Sequence, residues 1–173
     1  ITGDFTGNYA IGNSAIGGAI SSGGFITNNI AGNFINNYVQ ATSDFAAGGA
    51  IYIGESSVDN ITSNFIGNYA LSDSSYAQGG AIYATFQGLD VNLVNSSFIA
   101  NYVKGNNDSK GGAIYATTGV SVNITAKDGN TSLFSGNYVQ SGDGDKDYEA
   151  IYLDGSTLNL TAIGEGSSIT FDD

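Results

Sequence analysis

The chain has no cysteine, no histidine and no arginine. Without cysteine it can form neither a disulfide framework nor a thiolate metal site, and thiol redox chemistry is excluded. The chain contains sixteen acidic residues and four lysines, so its net charge is −12. Phosphate backbones and anionic lipids are held by clustered basic residues, so we expect neither nucleic acid nor a charged membrane surface as a partner.

Long apolar runs are also missing. No hydrophobic stretch approaches the ~20 residues that a membrane-spanning helix needs, so we expect no insertion into a membrane. The chain opens on ITGDFTGNYA, without an initiator methionine or a signal-peptide core, and we expect a segment of a longer protein. The hydrophobic fraction of 41% in 173 residues suffices for one packed core, and we expect a single domain over residues 1–173.

Two short motifs recur along the whole chain and alternate with each other at a similar spacing. The motif F-x-x-N-Y begins at Phe5, Phe34, Phe65, Phe98 and Phe134. The motif GGAIS or GGAIY begins at Gly17, Gly48, Gly79 and Gly111, with a degraded YEAIY at Tyr148. These motifs divide the chain into repeats near residues 5–33, 34–64, 65–97, 98–133 and 134–173.

A third, looser segment lies between each GGAI and the next phenylalanine, as in VSVNIT from Val120. These segments alternate with period two and are rich in Val, Ile and Thr, whereas ankyrin or tetratricopeptide units of similar length need amphipathic helices. Short strands that repeat in one direction suit a coil of parallel strands stacked ~4.8 Å apart. The sequence therefore predicts an all-β fold, a parallel β-helix of about five coils with three short strands each.

Stacking explains the repetition, because a residue that suits one position of a coil suits that position in every coil. We expect two buried ladders, one of the motif phenylalanines and one of the motif isoleucines. The isoleucine ladder comprises Ile20, Ile51, Ile82, Ile114 and Ile151. The asparagine of each F-x-x-N-Y is expected at a bend, where its amide bonds the neighbouring coil and its backbone tolerates a positive φ.

The alternation of GGA-[ILV] with F-x-x-N resembles the passenger repeats of chlamydial-type polymorphic outer-membrane proteins. The resemblance covers nearly the whole chain and implies a right-handed, single-stranded, pectate-lyase-like β-helix. It also implies export through an autotransporter β-barrel, display at the cell surface or outer membrane, and adhesion to host cells. The absence of cysteine departs from that family, and no barrel domain is present in the sequence.

Catalysis is not expected, although β-helices also serve as scaffolds of polysaccharide lyases and hydrolases. Resemblance to those enzymes would imply an arginine base or a histidine, and both residue types are absent. Two carboxylates facing one cleft could still hydrolyse a glycoside, and Asp59 and Asp90 occupy similar places in successive repeats. We interpret this pair as solvated acids on a loop face.

The segment SGDGDKDYEAIYLD holds an unusual density of carboxylates, the ligands that calcium prefers. The candidate ligands are Asp143, Asp145, Asp147, Glu149 and Asp154. The segment lacks the glycine of an EF-hand loop, and its GDGD does not recur as in glycine-rich calcium repeats. Apart from this candidate calcium site, we expect no cofactor.

Tyrosines that follow the buried isoleucines by one residue are expected to point outward as an exposed aromatic strip. The strip comprises Tyr52, Tyr83, Tyr115 and Tyr152. Such a strip could bind sugars or a protein surface, or the rings could simply stabilise neighbouring coils. A second set, Tyr9, Tyr38, Tyr69, Tyr102 and Tyr138, follows the motif asparagines, and the sequence does not assign its face.

The residues predict a non-catalytic β-helix, and the family resemblance implies a surface-displayed structural and adhesive role whose partner is a host-surface protein or glycan. One alternative is a carbohydrate-binding or carbohydrate-active β-helix fragment. Another is a subunit that self-associates end to end into filaments through its open ends.

Overall fold

The computed structural model describes residues 1–24, 29–55 and 58–173. This part of the chain is all-β and contains no helix, and hence none long and apolar enough to cross a membrane. The strands, in chain order, are β1 (Phe5–Thr6), β2 (Tyr9–Gly12), β3 (Ala15–Ile16), β4 (Ile20–Ser22), β5 (Ile30–Ile35), β6 (Tyr38–Ala41), β7 (Ala46–Ala47), β8 (Ile51–Ile53), β9 (Val58–Ile66), β10 (Tyr69–Ser72), β11 (Ala77–Gln78), β12 (Ile82–Ala84), β13 (Asp90–Val94), β14 (Ser97–Ile99), β15 (Tyr102–Gly105), β16 (Ile114–Ala116), β17 (Ser121–Lys127), β18 (Thr131–Ser135), β19 (Tyr138–Ser141), β20 (Ile151–Leu153), β21 (Thr157–Ile163) and β22 (Ser168–Asp172).

The strands stack into a β-solenoid of about five coils, as predicted, with every strand paired in parallel to its equivalent in the next coil. The large sheet contains β1, β5, β9, β13, β14, β17, β18, β21 and β22. The tyrosine sheet contains β2, β6, β10, β15 and β19, and the isoleucine sheet contains β4, β8, β12, β16 and β20. A short alanine sheet of β3, β7 and β11 lies between these two along the chain.

The residues of each coil are divided among the strands differently from the three predicted pieces. The alternating segment and the phenylalanine segment belong to the same large sheet, and in β5 and β9 they form one continuous strand. The F-x-x-N-Y motif is instead divided between two sheets by a bend before its tyrosine. The alanine sheet was not anticipated, because strands of two residues rich in alanine carry almost no β propensity.

The phenylalanine ladder is the centre of the main core, as predicted. Phe34, Phe65, Phe98 and Phe134 are fully buried, and neighbouring rings stack with centroids 4.7 to 5.0 Å apart. Phe171 extends the ladder by a sixth ring, 4.7 Å from Phe134. The isoleucine ladder is also confirmed, because its five members are paired in register and its three central members are fully buried.

The motif asparagines form a buried hydrogen-bonded ladder at the bend. Asn68 donates its side-chain amide to Oδ1 of Asn101 at 2.9 Å and to the carbonyl of Phe34 at 2.8 Å. The same pattern recurs at Asn37 and Asn101. Each amide thus has partners in the buried interior, where an unpaired amide would be costly.

The positive φ expected at these asparagines belongs instead to the residue before each of them. That position is occupied by Gly7, Asn36, Gly67, Ala100 and Gly136, with φ between 52° and 64°. The left-handed residue turns the chain, and the asparagine that follows directs its side chain inward, where it can bond the neighbouring coils. Glycine at three of the five positions fits the low cost of positive φ for this residue.

The first glycine of GGAI has a positive φ, and the second has no room for a side chain. Gly48 has φ of 67°, and a Cβ on Gly49 would collide with the carbonyl oxygens of Gly80 and Tyr69 in the next coil. In the last coil Glu149 aligns with the second glycine in the sequence, but its carbonyl accepts the N–H of Gly112 at 2.7 Å, as the carbonyl of the first glycine does in the other coils. The tyrosine sheet ends with β19, so in the described part of the chain no further coil obstructs the Glu149 side chain.

Candidate functional site

The tyrosines predicted as an exposed strip form a stacked column, which we call the Tyr52 column. Tyr52, Tyr83, Tyr115 and Tyr152 are paired in register, with ring centroids 5.3 to 5.5 Å apart. The column is less exposed than the predicted strip, because Tyr115 is only 6% exposed and the other three are partly buried. Neighbouring rings cover much of the area that alternation alone would leave open.

Burial also changes the acidity of the Tyr52 column. Desolvation raises the pKa of Tyr83 to about 12, with a smaller contribution from Tyr52. It raises the pKa of Tyr115 further, where the nearby carboxylate of Asp154 adds to the effect. The Tyr115 hydroxyl donates to Oδ2 of Asp154 at 3.3 Å, so one acid of the predicted calcium loop serves as a tyrosine partner.

The tyrosines whose face the sequence left open form a second stack, the Tyr9 column, on the outer face of the tyrosine sheet. Along β6, β10 and β15 each tyrosine is partly exposed, while the next residue, Val39, Ala70 or Val103, is fully buried. The ring centroids lie 5.3, 4.9, 4.9 and 4.9 Å apart from Tyr9 to Tyr138. This column is the more accessible of the two.

Each column ends in a ring covered by a lysine. The Nζ atom of Lys146 lies 4.0 Å from the ring centroid of Tyr138, the last ring of the Tyr9 column. The Nζ atom of Lys110 lies 5.0 Å from the centroid of Tyr152 and pairs with Asp108 at 3.0 Å. A cation over an aromatic face is favourable.

Ring stacking limits what the columns can bind. Inside a column both faces of each ring are occupied by neighbouring rings. A sugar that needs a free aromatic face therefore finds none in the interior of either column. The columns instead present ring edges and phenolic hydroxyls, which can donate and accept hydrogen bonds at regular intervals.

The acids predicted as calcium ligands do not gather at one place. Asp145, Asp147 and Glu149 line one shallow depression beside Asp108 and Lys110. Asp143 lines a different depression next to Lys104, and Asp154 lies at the Tyr115 hydroxyl. Among the described residues, no three acidic side chains are grouped closely enough to hold a metal ion. Calcium binding stays a prediction.

Glu149 has a structural contact that explains its place in the repeat. Its Oε1 accepts the backbone N–H of Gly111 at 2.7 Å, whereas the equivalent N–H of Gly79 is bound by the carbonyl of Lys110. Burial raises the pKa of Glu149, and the contact with Gly111 opposes the rise. The carboxylate thus replaces a backbone acceptor that the degraded motif no longer supplies.

The proposed carboxylate pair is out of register. Val58 pairs with Val91, and Asp59 follows the first of these valines whereas Asp90 precedes the second. The expectation of similar places was therefore wrong, because the pairing of Val58 with Val91 leaves the two acids on opposite sides of the paired valines. Both side chains are exposed to solvent.

A shallow groove on the outer face of the large sheet was not anticipated. Two of its lining residues, Ala31 and Val94, are apolar, and the others carry an ammonium group, a hydroxyl and three amides. These polar residues are Lys127, Thr62, Asn29, Asn60 and Asn95. No sequence motif marks this groove, because stacked positions such as that of Ala31 and Thr62 carry different residue types in successive coils.

Neither family profiles, nor curated proteins, nor solved structures match this chain. The geometry of the solenoid and its tyrosine columns is therefore the basis for a functional assignment.

Proposed function

We propose that this chain is a non-catalytic, surface-displayed β-solenoid that serves as a structural and adhesive segment. The observation that carries the proposal is the Tyr9 column, in which five partly or fully exposed tyrosines repeat along one face of a parallel stack. Hydroxyls that recur at the coil spacing offer a partner many equivalent contacts. Each contact is weak, but together they give a high affinity.

The partner that suits this surface is a protein or glycan of a host or another cell. Tyrosine supplies a large amphipathic contact area with few rotatable bonds, and it is enriched at binding hot spots. Nucleic acid and anionic membranes are poor partners because the chain has 16 acidic residues and four lysines. We assign the segment no direct contact with the interior of a bilayer.

Export and surface display are the second part of the proposal. They rest on the resemblance of the GGAI and F-x-x-N motifs to autotransporter passengers of the polymorphic outer-membrane type. In this chain both motifs occupy stacked positions of the solenoid. Protease treatment of intact source cells should remove this segment, and protection from the protease would contradict surface display.

Adhesion is tested by retention of the purified chain on host cells and immobilised glycans. We expect a Tyr69→Ser, Tyr102→Ser double variant to lose most of the retention, since two central contacts of the column disappear. The control is Ile66→Ser on the large sheet, where the side chain is 37% exposed. Equal retention of both variants, or no retention of the unmodified chain, would contradict the proposal.

A carbohydrate-binding role is the second candidate, and the groove on the large sheet favours it. Amide and hydroxyl groups beside small apolar side chains are typical of sites that orient a polar ligand. Incubation with pectin, alginate and host glycans, scored for both retention and cleavage, separates the candidates. Retention lost in Lys127→Gln but kept in the double tyrosine variant would favour the groove, and cleavage would indicate a carbohydrate-active protein.

A further inference from the structure

The Tyr9 column holds neighbouring phenols in a nearly parallel arrangement. Four successive pairs have centroid separations of 4.9 to 5.3 Å, and the planes of Tyr102 and Tyr138 differ by only 2°. The residues of each pair are directly opposite each other in the parallel ladder. Equivalent edges of the rings therefore face the same way.

The rings are also accessible to a small reagent. Tyr9 is 62% exposed, and the other four members are partly exposed on the outer face of the sheet. Within residues 1–24, 29–55 and 58–173, the hydroxyls of this column have no hydrogen-bond partner in the protein. The backbone ladder holds the rings in place, so neighbouring phenols stay adjacent while their edges contact solvent.

We propose that the Tyr9 column is a site of oxidative cross-linking, in which tyrosines of successive coils couple into dityrosine. The co-reactant is a one-electron oxidant such as a haem peroxidase supplied with hydrogen peroxide. The inference goes beyond adhesion, because it assigns the column a covalent modification rather than a partner.

Each of two neighbouring phenols loses one electron to the oxidant and its hydroxyl proton to water, which leaves two phenoxyl radicals. A carbon–carbon bond forms between the ring carbons next to the two hydroxyls, and each of these carbons then loses its hydrogen as a proton while its oxygen regains one. Two electrons and two protons are released overall, and they reduce one hydrogen peroxide to two water molecules.

The Tyr52 column is less suited to the same reaction and provides an internal comparison. Tyr115 is only 6% exposed, its hydroxyl donates to Asp154, and its neighbours are 5.3 and 5.5 Å away. Oxidant and departing protons reach these rings less readily. We therefore expect the Tyr9 column to react first.

Such a bond would tie consecutive coils together in a chain that has no cysteine. A link between Tyr69 and Tyr102 would close a loop of the size of one repeat, and closing loops restricts the unfolded state more than the folded one. The melting temperature of the cross-linked protein should rise, as it does for a disulfide.

The experiment treats the purified chain with a haem peroxidase and hydrogen peroxide, followed by fluorescence, mass spectrometry and peptide mapping. We expect dityrosine emission, a loss of two hydrogens per link, and linked peptides that join neighbouring members of the Tyr9 column. The yield should not change on dilution, because both partners belong to one molecule. Links that form only between molecules, or hydroxylated tyrosine without links, would overturn the proposal.

Phenylalanine variants identify the column that reacts. Tyr102→Phe keeps an aromatic ring in the stack but cannot form a phenoxyl radical, so two of the four neighbouring pairs are lost. Tyr83→Phe makes the same change in the Tyr52 column and should leave the yield intact. Both variants should keep the circular dichroism of the parent, and an equal loss of yield in both would overturn the assignment to the Tyr9 column.

Adhesion is measured separately with unoxidised protein, so failure of the adhesion proposal is distinguishable from failure of the cross-linking proposal.

Discussion

Asn68 donates both its backbone N–H and its side-chain amide to a single oxygen, Oδ1 of Asn101, each at 2.9 Å. The relationship repeats from coil to coil, and both side chains are fully buried. A polar ladder thus runs beside the phenylalanine ladder at the bend, and it fixes where each coil turns.

The first prediction concerns this ladder. Asn68→Ala should lower the free energy of unfolding by roughly 2 to 4 kcal/mol, because the carbonyl of Phe34 and the amide of Asn37 lose buried partners. The control is Asn64→Ala, which removes an exposed amide contact with Asn33 and should cost about 0.5 kcal/mol or less. Denaturant unfolding measures both, and equal losses would show that the buried ladder contributes no special stability.

The second prediction concerns the isoleucine ladder. Ile82 is fully buried between Ile51 and Ile114, so Ile82→Asn places an amide without partners in an apolar stack. We expect a loss of about 3 to 5 kcal/mol. Ile66→Asn makes the same change at a residue that is 37% exposed and should melt close to the parent. A parent-like melting curve for Ile82→Asn would mean that the ladder is assigned wrongly.

The phenylalanine and isoleucine ladders could be predicted because in-register stacking favours the same residue type at the same position of every coil. The turn at Ala100 could not, because its position varies among glycine, asparagine and alanine in the sequence. The burial of Tyr115 was also missed, since the ring is covered by stacked neighbours and Asp154 rather than by residues near it in the chain. The groove at Lys127 depends on side chains from several coils that no motif connects.

The third prediction concerns the pH dependence that Glu149 contributes. Its folded-state pKa is raised by burial, so the folded state binds the proton more tightly than the unfolded state does. The contribution of Glu149 to stability is therefore greatest below its unfolded pKa and falls as the pH rises through the raised value. Glu149→Gln keeps an oxygen acceptor for Gly111 without the charge, and it should remove this part of the pH dependence.

Thermal melts of Glu149→Gln and the parent between about pH 4 and pH 8 measure the difference, because the other acids are common to both proteins. The variant should gain stability relative to the parent as the pH rises. Glu149→Ala should be less stable than Glu149→Gln, since the Gly111 N–H then has no acceptor. A constant difference between the glutamine variant and the parent would contradict the raised pKa.

The fourth prediction concerns calcium. The five candidate acids are distributed over separate places, so excess calcium should raise the melting temperature modestly or not at all. Magnesium at equal ionic strength controls for general screening of the −12 charge. A large shift with calcium alone that disappears in Asp145→Ala would establish a structural metal site at this loop.

The fifth prediction concerns self-association of the isolated 173-residue chain. Large apolar side chains are exposed on its outermost coils, with Ile11 55% exposed at one end and Leu160 and Phe171 exposed by 49% and 46% at the other. The strands of these coils also have unpaired edges, which can accept the strands of a second copy. The net charge of −12 opposes this approach.

Screening weakens the repulsion between copies but leaves strand pairing and apolar contact intact. We therefore expect monomers at low salt and low concentration, and linear oligomers as salt rises. Phe171→Asp should suppress the shift because it places a charge on the end face, whereas Ile66→Asp adds the same charge to the side of the solenoid and should suppress it far less. Sedimentation across a salt series measures both variants. A strict monomer at every salt and concentration, or equal suppression by the two changes, would show that the end coils do not mediate association.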